Sequence, residues 1–430
     1  MTRRSVAIAA ALVATSLLPA ALGADGSASL RSYFLAKDDA GRAKALEGLA
    51  GVPVPKDAPA RIRALREALS LPPRKGFSKI DEKLALPKEK NALVASFCTP
   101  KGYDERKTWP VVLSLHGHKG TAHHGVLPFA FPPEEADDVR KKAEEQGLVS
   151  PGQGRVPHIP LSVPWEDGIV VAPGWDTLDK DWVTAEDATE GSLAALARLG
   201  RGYAGDPDKV VLAGMSMGGF DAWGVACARP DRFAGVVILS ASLDKQERQL
   251  VSNLKPLEVY IVQGEQDDKV PVTAGRADDA SLKEAGVAHV YEEVAGLTHG
   301  AWPKDGAKLK TWMRARTRTP WPREIKHRFL AREAPRRVFW VELPAGGEAV
   351  VEAKAKDNTI DLDVSGASSL TLRLGEPLVD LEKEVVVRWK DAEVFRGKVE
   401  RSWAELLQDL SGDGFDVPRA APAKLEVKAP

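Results

Sequence analysis

The chain has 430 residues, 43% of them hydrophobic, and 60 Lys and Arg stand against 61 Asp and Glu for a formal net charge of −1. That length predicts two or three domains and a core large enough to hold without cross-links. The balanced charge offers no basic stripe for nucleic acid, and no low-complexity tract or internal repeat points to an array. At the N-terminus, Arg3-Arg4 precede an apolar run from Val6 to Leu22 with small residues at Ala21, Gly23 and Ala24. This is the pattern of a secretory signal over residues 1–24, which predicts a secreted or periplasmic protein. The run is short for a membrane span and contains Pro19, so no stable span is expected after cleavage.

From Leu30 to Leu71 apolar residues recur at helical spacing, as in Ile62, Leu65 and Leu69, and prolines at 53, 55 and 59 cut the segment into short helices. This helical extension is expected to pack on the domain that follows. Strand candidates then recur at Leu93–Cys98, Val111–Leu115, Ile169–Ala172, Val210–Ala213, Val236–Leu239, Val259–Gln263 and Ala288–Val294, mostly with helical stretches between them. Alternation of this kind predicts an α/β fold, with a mainly parallel sheet covered on both faces. The connection over residues 119–167 is unusually long and proline-rich, and reads either as a lid or as a packed insertion. Beyond Trp321-Pro322 the period changes to two. Val351, Ala353 and Ala355 alternate with charged residues, as do Ile360, Leu362 and Val364, and then Leu370, Leu372 and Leu374 alternate with Thr371 and Arg373. Antiparallel strands in a small β-sandwich are expected there.

The most specific motif lies at Val210 to Phe220, where a β-branched run stops at Gly214-Met215-Ser216-Met217-Gly218-Gly219 and a helical stretch begins. A G-x-S-x-G sequence between strand and helix places its serine on a sharp turn above a sheet. The residues two positions away must be small to clear the adjoining strand and helix, which assigns Gly214 and Gly218. Two more pieces follow in order: Gly264-Glu265-Gln266-Asp267-Asp268-Lys269-Val270-Pro271 after one strand candidate, and Gly296-Leu297-Thr298-His299-Gly300 after another. An earlier strand ends in Leu115-His116-Gly117-His118. All these positions fall at the carboxyl ends of strands, where open α/β sheets place ligands.

With these residues the chain resembles the α/β-hydrolase superfamily, in its esterase, dienelactone-hydrolase and prolyl-oligopeptidase-like branch. The resemblance spans Lys83 to Arg318. It implies Ser216 as nucleophile, His299 as general base and Asp267 as the acid that orients the imidazole, with no cofactor. Asp268 adjoins Asp267, and the spacing G-x-x-D-x-x-V-P assigns Asp267. The backbone N–H groups of Met217 and His118 are the implied oxyanion donors. The implied organisation is a signal peptide (1–24), a helical extension (25–82), an α/β-hydrolase catalytic domain (83–320) and a β-rich C-terminal domain (321–430). A chain ending near Thr319 is expected to keep the catalytic residues together.

Four of the eight histidines lie between His116 and His124, but no Cys, Asp or Glu of metal-ligand spacing accompanies them, so no metal is assigned. Asp409-x-Ser411-x-Asp413-Gly414 resembles the front of a calcium loop but has Ala420 where the twelfth-position acid belongs, which favours an ordinary polar turn. Trp175 and Trp182 are candidates for substrate contact at the rim. The predicted partner is an ester-bearing small molecule or polymer. The other readings are a serine peptidase of the prolyl-oligopeptidase-like type and a non-catalytic binding protein on a hydrolase fold.

Overall fold

The computed structural model describes residues 24–36, 39–68, 77–84, 93–100, 102–130, 165, 167–174, 185–300, 303–331, 336–412 and 416–430. The signal segment up to residue 23, most of the 119–167 insertion, Trp175 and Trp182 lie outside the described residues. Helices α1 (Ala24–Leu35), α2 (Asp39–Glu47) and α3 (Ala58–Ala68) come first. The central sheet follows: β1 (Phe77–Leu84), β2 (Leu93–Cys98), β3 (Trp109–Leu115), α4 (Ala122–Ala130), β4 (Ile169–Gly174), α5 (Ala185–Gly202), β5 (Gly205–Met215), α6 (Met217–Ala228), β6 (Gly235–Leu239), β7 (Glu258–Gly264), α7 (Val272–Ala285), β8 (Ala288–Val294) and α8 (Gly306–Arg314).

The eight strands lie in the order β1-β2-β4-β3-β5-β6-β7-β8. Strand β2 runs antiparallel to β1 and β4, and the remaining pairs are parallel. The central strands are apolar along their length because helices cover both faces. Val210 and Leu212 join the side chains of α5, α6 and α7 in one core, whereas Val211 and Ala213 join Val126, Phe129, Leu309 and Met313 of α4 and α8 in the other. Period-two alternation therefore sorts one strand's residues between two apolar layers. Strand β1 was not legible in the sequence: Phe77-Ser78-Lys79-Ile80-Asp81-Glu82-Lys83-Leu84 is rich in charge and occupies a sheet edge.

The C-terminal strands are β9 (Glu324–Phe329), β10 (Arg337–Val338), β11 (Val341–Glu342), β12 (Ala349–Lys356), β13 (Thr359–Ser365), β14 (Ser369–Leu374), β15 (Val385–Trp389), β16 (Ala392–Gly397) and β17 (Ala423–Lys428), with helix α9 (Trp403–Gly412) before the last. They form a four-stranded sheet, β10-β11-β14-β17, and a five-stranded sheet, β16-β15-β13-β12-β9. The alternating residues Val351, Ala353, Ile360, Leu362, Leu370 and Leu372 share one core between the sheets. The pairing departs from a fully antiparallel expectation at one point, since β13 and β15 are parallel. Between them β14 leaves for the other sheet, so the chain returns to β13 by a crossover and not a hairpin.

The helical extension packs differently from expectation. Leu30, Tyr33, Leu49, Ile62 and Leu65 cluster with Trp403, Leu406, Leu407 and Leu410 of α9, and the Tyr33 hydroxyl donates to the Leu407 carbonyl at 3.1 Å. The apolar stripe of α9 is what these short helices cover, and the sequence reading had not identified α9 as a helix. Its Asp409 is buried, pairs with Arg337 and accepts the Ala421 N–H at 2.8 Å, so the calcium-loop resemblance has a helix where a loop would begin. No helix among the described residues is long and apolar enough to cross a membrane.

Buried ion pairs join the connections around Asp231 and Arg318 to Asp416 and Arg419, just before β17. Asp231 lies between Arg229 (3.0 Å) and Arg419 (2.6 Å), and Asp416 accepts from Arg318 at 2.7 Å. The amide of Asn253 donates to the Cys227 and Arg328 carbonyls, both at 3.0 Å.

Candidate active site

Strand β5 ends at Met215, and Ser216 turns the chain into α6 with φ 53° and ψ −123°. A positive φ is costly for a residue with a β-carbon and persists only where the surroundings impose it. Here they do: the Ser216 N–H donates to the Leu239 carbonyl at 2.9 Å, while the Ser216 carbonyl accepts from Gly219 (2.8 Å) and Phe220 (3.0 Å). The two glycines predicted for the turn are required sterically. A β-carbon on Gly214 would collide with the Gly218 carbonyl, and one on Gly218 would meet the carbonyls of Leu115 and His116. Ser216 therefore stands at the amino end of α6, where helical N–H groups favour negative charge.

Asp267 and His299 follow β7 and β8. The His299 Nε2 lies 2.8 Å from Ser216 Oγ, and its Nδ1 lies 3.0 Å from each Asp267 carboxylate oxygen. A carboxylate only accepts, so the proton belongs on Nδ1 and Nε2 is left to accept from the serine hydroxyl. The Asp267 side chain is fully buried, and its charge is met by the N–H groups of Lys269 (2.9 Å) and Val270 (2.8 Å) and by the Gln263 amide (3.1 Å). Asp268, its neighbour in sequence, is 68% exposed and faces Lys269 at 3.1 Å, whose ammonium holds its carboxyl below the usual range. The structure thus brings Ser216, His299 and Asp267 together and leaves Asp268 outside the set.

The loop after β3 closes the other side. Gly120 N–H bonds to the Gly117 carbonyl at 3.0 Å, forming a turn over His118 and Lys119, and Lys119 adopts a left-handed φ of 55°. A β-carbon built on Gly117 would stand 3.8 Å from the Ser216 β-carbon, so this turn abuts the nucleophile position. The His118 side chain is exposed, which leaves its backbone N–H as the group of interest beside that of Met217. His116 and His124 serve local structure, and the His123 side chain lies outside the described residues. Buried His116 bonds the Gly117 carbonyl through Nδ1 at 2.9 Å, and His124 Nδ1 accepts the Thr121 N–H at 3.1 Å. No group of three or more metal-ligating side chains occurs among the described residues.

Sequence reading missed the supporting residues Gln263 and Ser240. Gln263 braces Asp267 and also donates to the Val270 carbonyl at 2.7 Å. Ser240 follows β6, is buried, and accepts the N–H of Gly300, the residue after His299, at 3.0 Å. The only signal for either was a polar residue at the carboxyl end of a strand candidate.

The strand order and the strand–Ser216–helix turn are those of the α/β-hydrolase fold. No family model matches the chain. Lysophospholipase-like protein 1 of Mus musculus is 29% identical over 113 residues, which are 25% of this chain and 47% of that protein, so the match spans about half of the relative's length. Among solved structures, a thermostable esterase is 20% identical with a TM-score of 0.39, over 56% of this chain and 63% of that one, just under two thirds of its length. A ferulic acid esterase of Anaeromyces mucronatus in complex with ferulic acid is 15% identical with a TM-score of 0.37, over 55% and 89%. Dipeptidyl peptidase 4 of Porphyromonas gingivalis is 14% identical with a TM-score of 0.40, over 59% and 37%.

Proposed function

We propose that this chain is an exported serine hydrolase that cleaves carboxylic esters through an acyl-enzyme. The observation that carries the proposal is the continuous chain of contacts from Ser216 Oγ to His299 Nε2 at 2.8 Å and from His299 Nδ1 to Asp267 at 3.0 Å. In the first step His299 takes the hydroxyl proton as Ser216 Oγ attacks the ester carbonyl, and Asp267 stabilises the imidazolium. In this reading the oxyanion forms at the amino end of α6, and the Met217 and His118 backbone N–H groups are its donors. His299 then returns the proton to the departing alcohol, and water repeats the sequence on the acyl-enzyme.

Export rests on the Arg3-Arg4 pair and the apolar run that follows. A peptidase would pass through the same tetrahedral oxyanion, so the preference for esters rests on what flanks the sheet. The described elements between Ala24 and β1 are three short helices, whereas a substrate-screening propeller needs at least four blades of about 40 residues. Ladders of paired charge cover the outer face of the five-stranded sheet. They include Lys326 with Glu352, Lys354 with Glu324 and Arg388 with Asp361, a surface without the aromatic platform that sugar stacking requires. We read the C-terminal strands as support for the hydrolase, not as a second binding module.

The test is labelling with a fluorophosphonate, followed by kcat/KM on matched aryl ester and amide substrates and then on unactivated esters and peptides. Ser216→Ala is expected to abolish labelling and to lower kcat by about 10⁴-fold or more. Labelling that survives the substitution would move the nucleophile elsewhere. Efficient cleavage of ordinary peptides with weak turnover of unactivated esters would replace the ester reading by the peptidase one.

A further inference from the structure

We propose that Ser240 is a positioning residue for His299: its hydroxyl fixes the loop behind the imidazole and thereby sets the spacing between base and nucleophile. The proposal rests on the hydrolase reading above for its kinetic consequence, but the structural tie it describes stands on separate observations.

His299 lies on the loop between β8 and α8. Ahead of His299 the loop is fastened to the Asp267 loop, because Gly296 N–H donates to Glu265 Oε2 and Gln266 N–H donates to the Leu297 carbonyl, both at 2.9 Å. Behind it, Gly300 turns the chain with φ 86°, and its N–H donates to Ser240 Oγ at 3.0 Å. Rotation of the imidazole away from Ser216 is therefore opposed from both sides, and Ser240 supplies the second side.

The position of Ser240 gives this bond its leverage. Leu239, one residue earlier, accepts the Ser216 N–H through its carbonyl at 2.9 Å, and the Ser240 N–H donates to the Val262 carbonyl at 3.0 Å. Consecutive residues at the end of β6 thus grip the backbone of the nucleophile and the loop of the base. The distance of 2.8 Å between His299 Nε2 and Ser216 Oγ is referred to one rigid strand end.

The residue type supports the same role. Ser240 has a φ of 49°, in the left-handed region where glycine would fit without a β-carbon. It is also fully buried, so its hydroxyl must find its partners inside the protein. A serine here sacrifices backbone ease and keeps an oxygen that glycine lacks, and that oxygen accepts from the residue after His299.

The experiment compares Ser240→Gly and Ser240→Ala in the full chain. It measures thermal unfolding, kcat and KM on a soluble p-nitrophenyl ester, the fluorophosphonate labelling rate, and amide hydrogen exchange at Gly300. Glycine accepts the backbone angle, which offsets part of the lost hydrogen bond, so Ser240→Gly is expected to stay folded with an unfolding temperature close to the parent's. Its kcat is nevertheless expected to fall by about 10- to 100-fold with KM changed less than about threefold, since small misplacements of a catalytic group cost on this scale. Labelling should slow in step, and Gly300 exchange should quicken by about tenfold or more. Ser240→Ala should lose the same kcat.

A structural role alone would make activity follow stability, so a stable Ser240→Gly protein with parental kcat overturns the proposal. Unchanged Gly300 exchange in either variant overturns it as well. Should Ser240→Gly not fold, Ser240→Ala and Ser240→Cys decide the matter, because the thiol is a weak acceptor and should restore part of the kcat that alanine loses. If the parent chain neither labels at Ser216 nor turns over esters, the hydrolase reading fails on its own, and Gly300 exchange still decides whether Ser240 holds the loop.

Discussion

Two adjacent aspartates at the end of β7 carry the same charge and share one loop, yet their surroundings are opposite. Asp267 is buried and receives two backbone N–H groups, the Gln263 amide and the His299 ring, whereas Asp268 points to solvent beside Lys269. Converting a carboxylate to an amide at the first position leaves His299 Nδ1–H without an anion and permits the wrong tautomer. Asp267→Asn is therefore expected to lower kcat/KM by about 10³- to 10⁴-fold. Asp268→Asn removes an exposed charge that does not touch the ring, and its effect should stay within about threefold. Steady-state kinetics on one soluble ester separate the two, and the reverse ranking would transfer the acid's role to Asp268.

At the scale of the element, the turn between β5 and α6 depends on backbone packed against backbone. The β-carbon of Gly218→Ala would meet the carbonyls of Leu115 and His116, at and just past the end of β3, in the stretch that leads into Gly117. Relief requires the nucleophile turn and the His118 turn to separate. The substitution should lower the unfolding temperature, with an overpacking cost of about 1–3 kcal/mol, and should depress kcat about 100-fold or more. Full activity in a folded Gly218→Ala protein would show that the turn has room that its geometry denies.

The 3-10 segment after β6, Glu247–Leu254, offers a test by pH. Burial pushes the Glu247 carboxyl up to about 8, and the neighbouring Asp244 carboxylate adds to the rise. The folded value thus lies above the unfolded one, near 4.3 for an ordinary glutamate, and the folded chain binds the extra proton between them. The contribution of Glu247 to stability is present below about pH 4 and declines as pH rises to about 8. Glu247→Gln should remove this slope, so at pH 8 the variant should gain about 2–4 °C in unfolding temperature relative to the parent when each is referenced to pH 5. Parallel stability profiles for the two proteins would rule this out.

For the whole molecule, the buried charges decide how the parts behave. Asp231 and Arg229 follow the end of α6, and Arg419 reaches them from the 3-10 segment Val417–Arg419; Arg318, in the connection between α8 and β9, meets Asp416 just ahead of that segment. Breaking such a pair strands the remaining charge in the interior, at a cost of about 3–5 kcal/mol. Arg419→Ala should therefore lower the unfolding temperature of the entire chain in one transition, seen alike by tryptophan fluorescence and circular dichroism. A chain ending at Thr319 would lose Asp416 and Arg419 together, leaving Arg318 with Asp208 and Asp231 with Arg229, both at 3.0 Å, on a face opened to water. It is expected to unfold at a lower temperature than the full chain, and whether it folds at all tests the independence expected from sequence. Recovery of a folded, ester-cleaving fragment would show that the ion pairs are dispensable.

Sequence alone determined what short-range pattern can encode. The period of two from Val351 to Leu374 gave the C-terminal strands, the β-branched runs gave the central ones, and the glycines around Ser216 marked a turn only small residues can make. The order of Ser216, Asp267 and His299 was legible because each follows a strand candidate, and strand ends in an α/β sheet converge. Tertiary structure decided what depends on partners distant in the chain. The spacing chose Asp267 over Asp268 in the sequence, and the fold supplies the reason, since the Gln263 side chain and the Lys269 and Val270 N–H groups gather around one carboxylate only. The apolar stripes of α1 to α3 specify that something must cover them, but not that α9, more than 330 residues after α3, does so in place of the central sheet. Strand β1 and the parallel pairing of β13 with β15 were hidden for the same reason, because an edge position or a crossover is a property of the assembled sheet. Ser240 shows the limit most clearly. In the sequence it is one serine among many, and only the fold places its hydroxyl against Gly300.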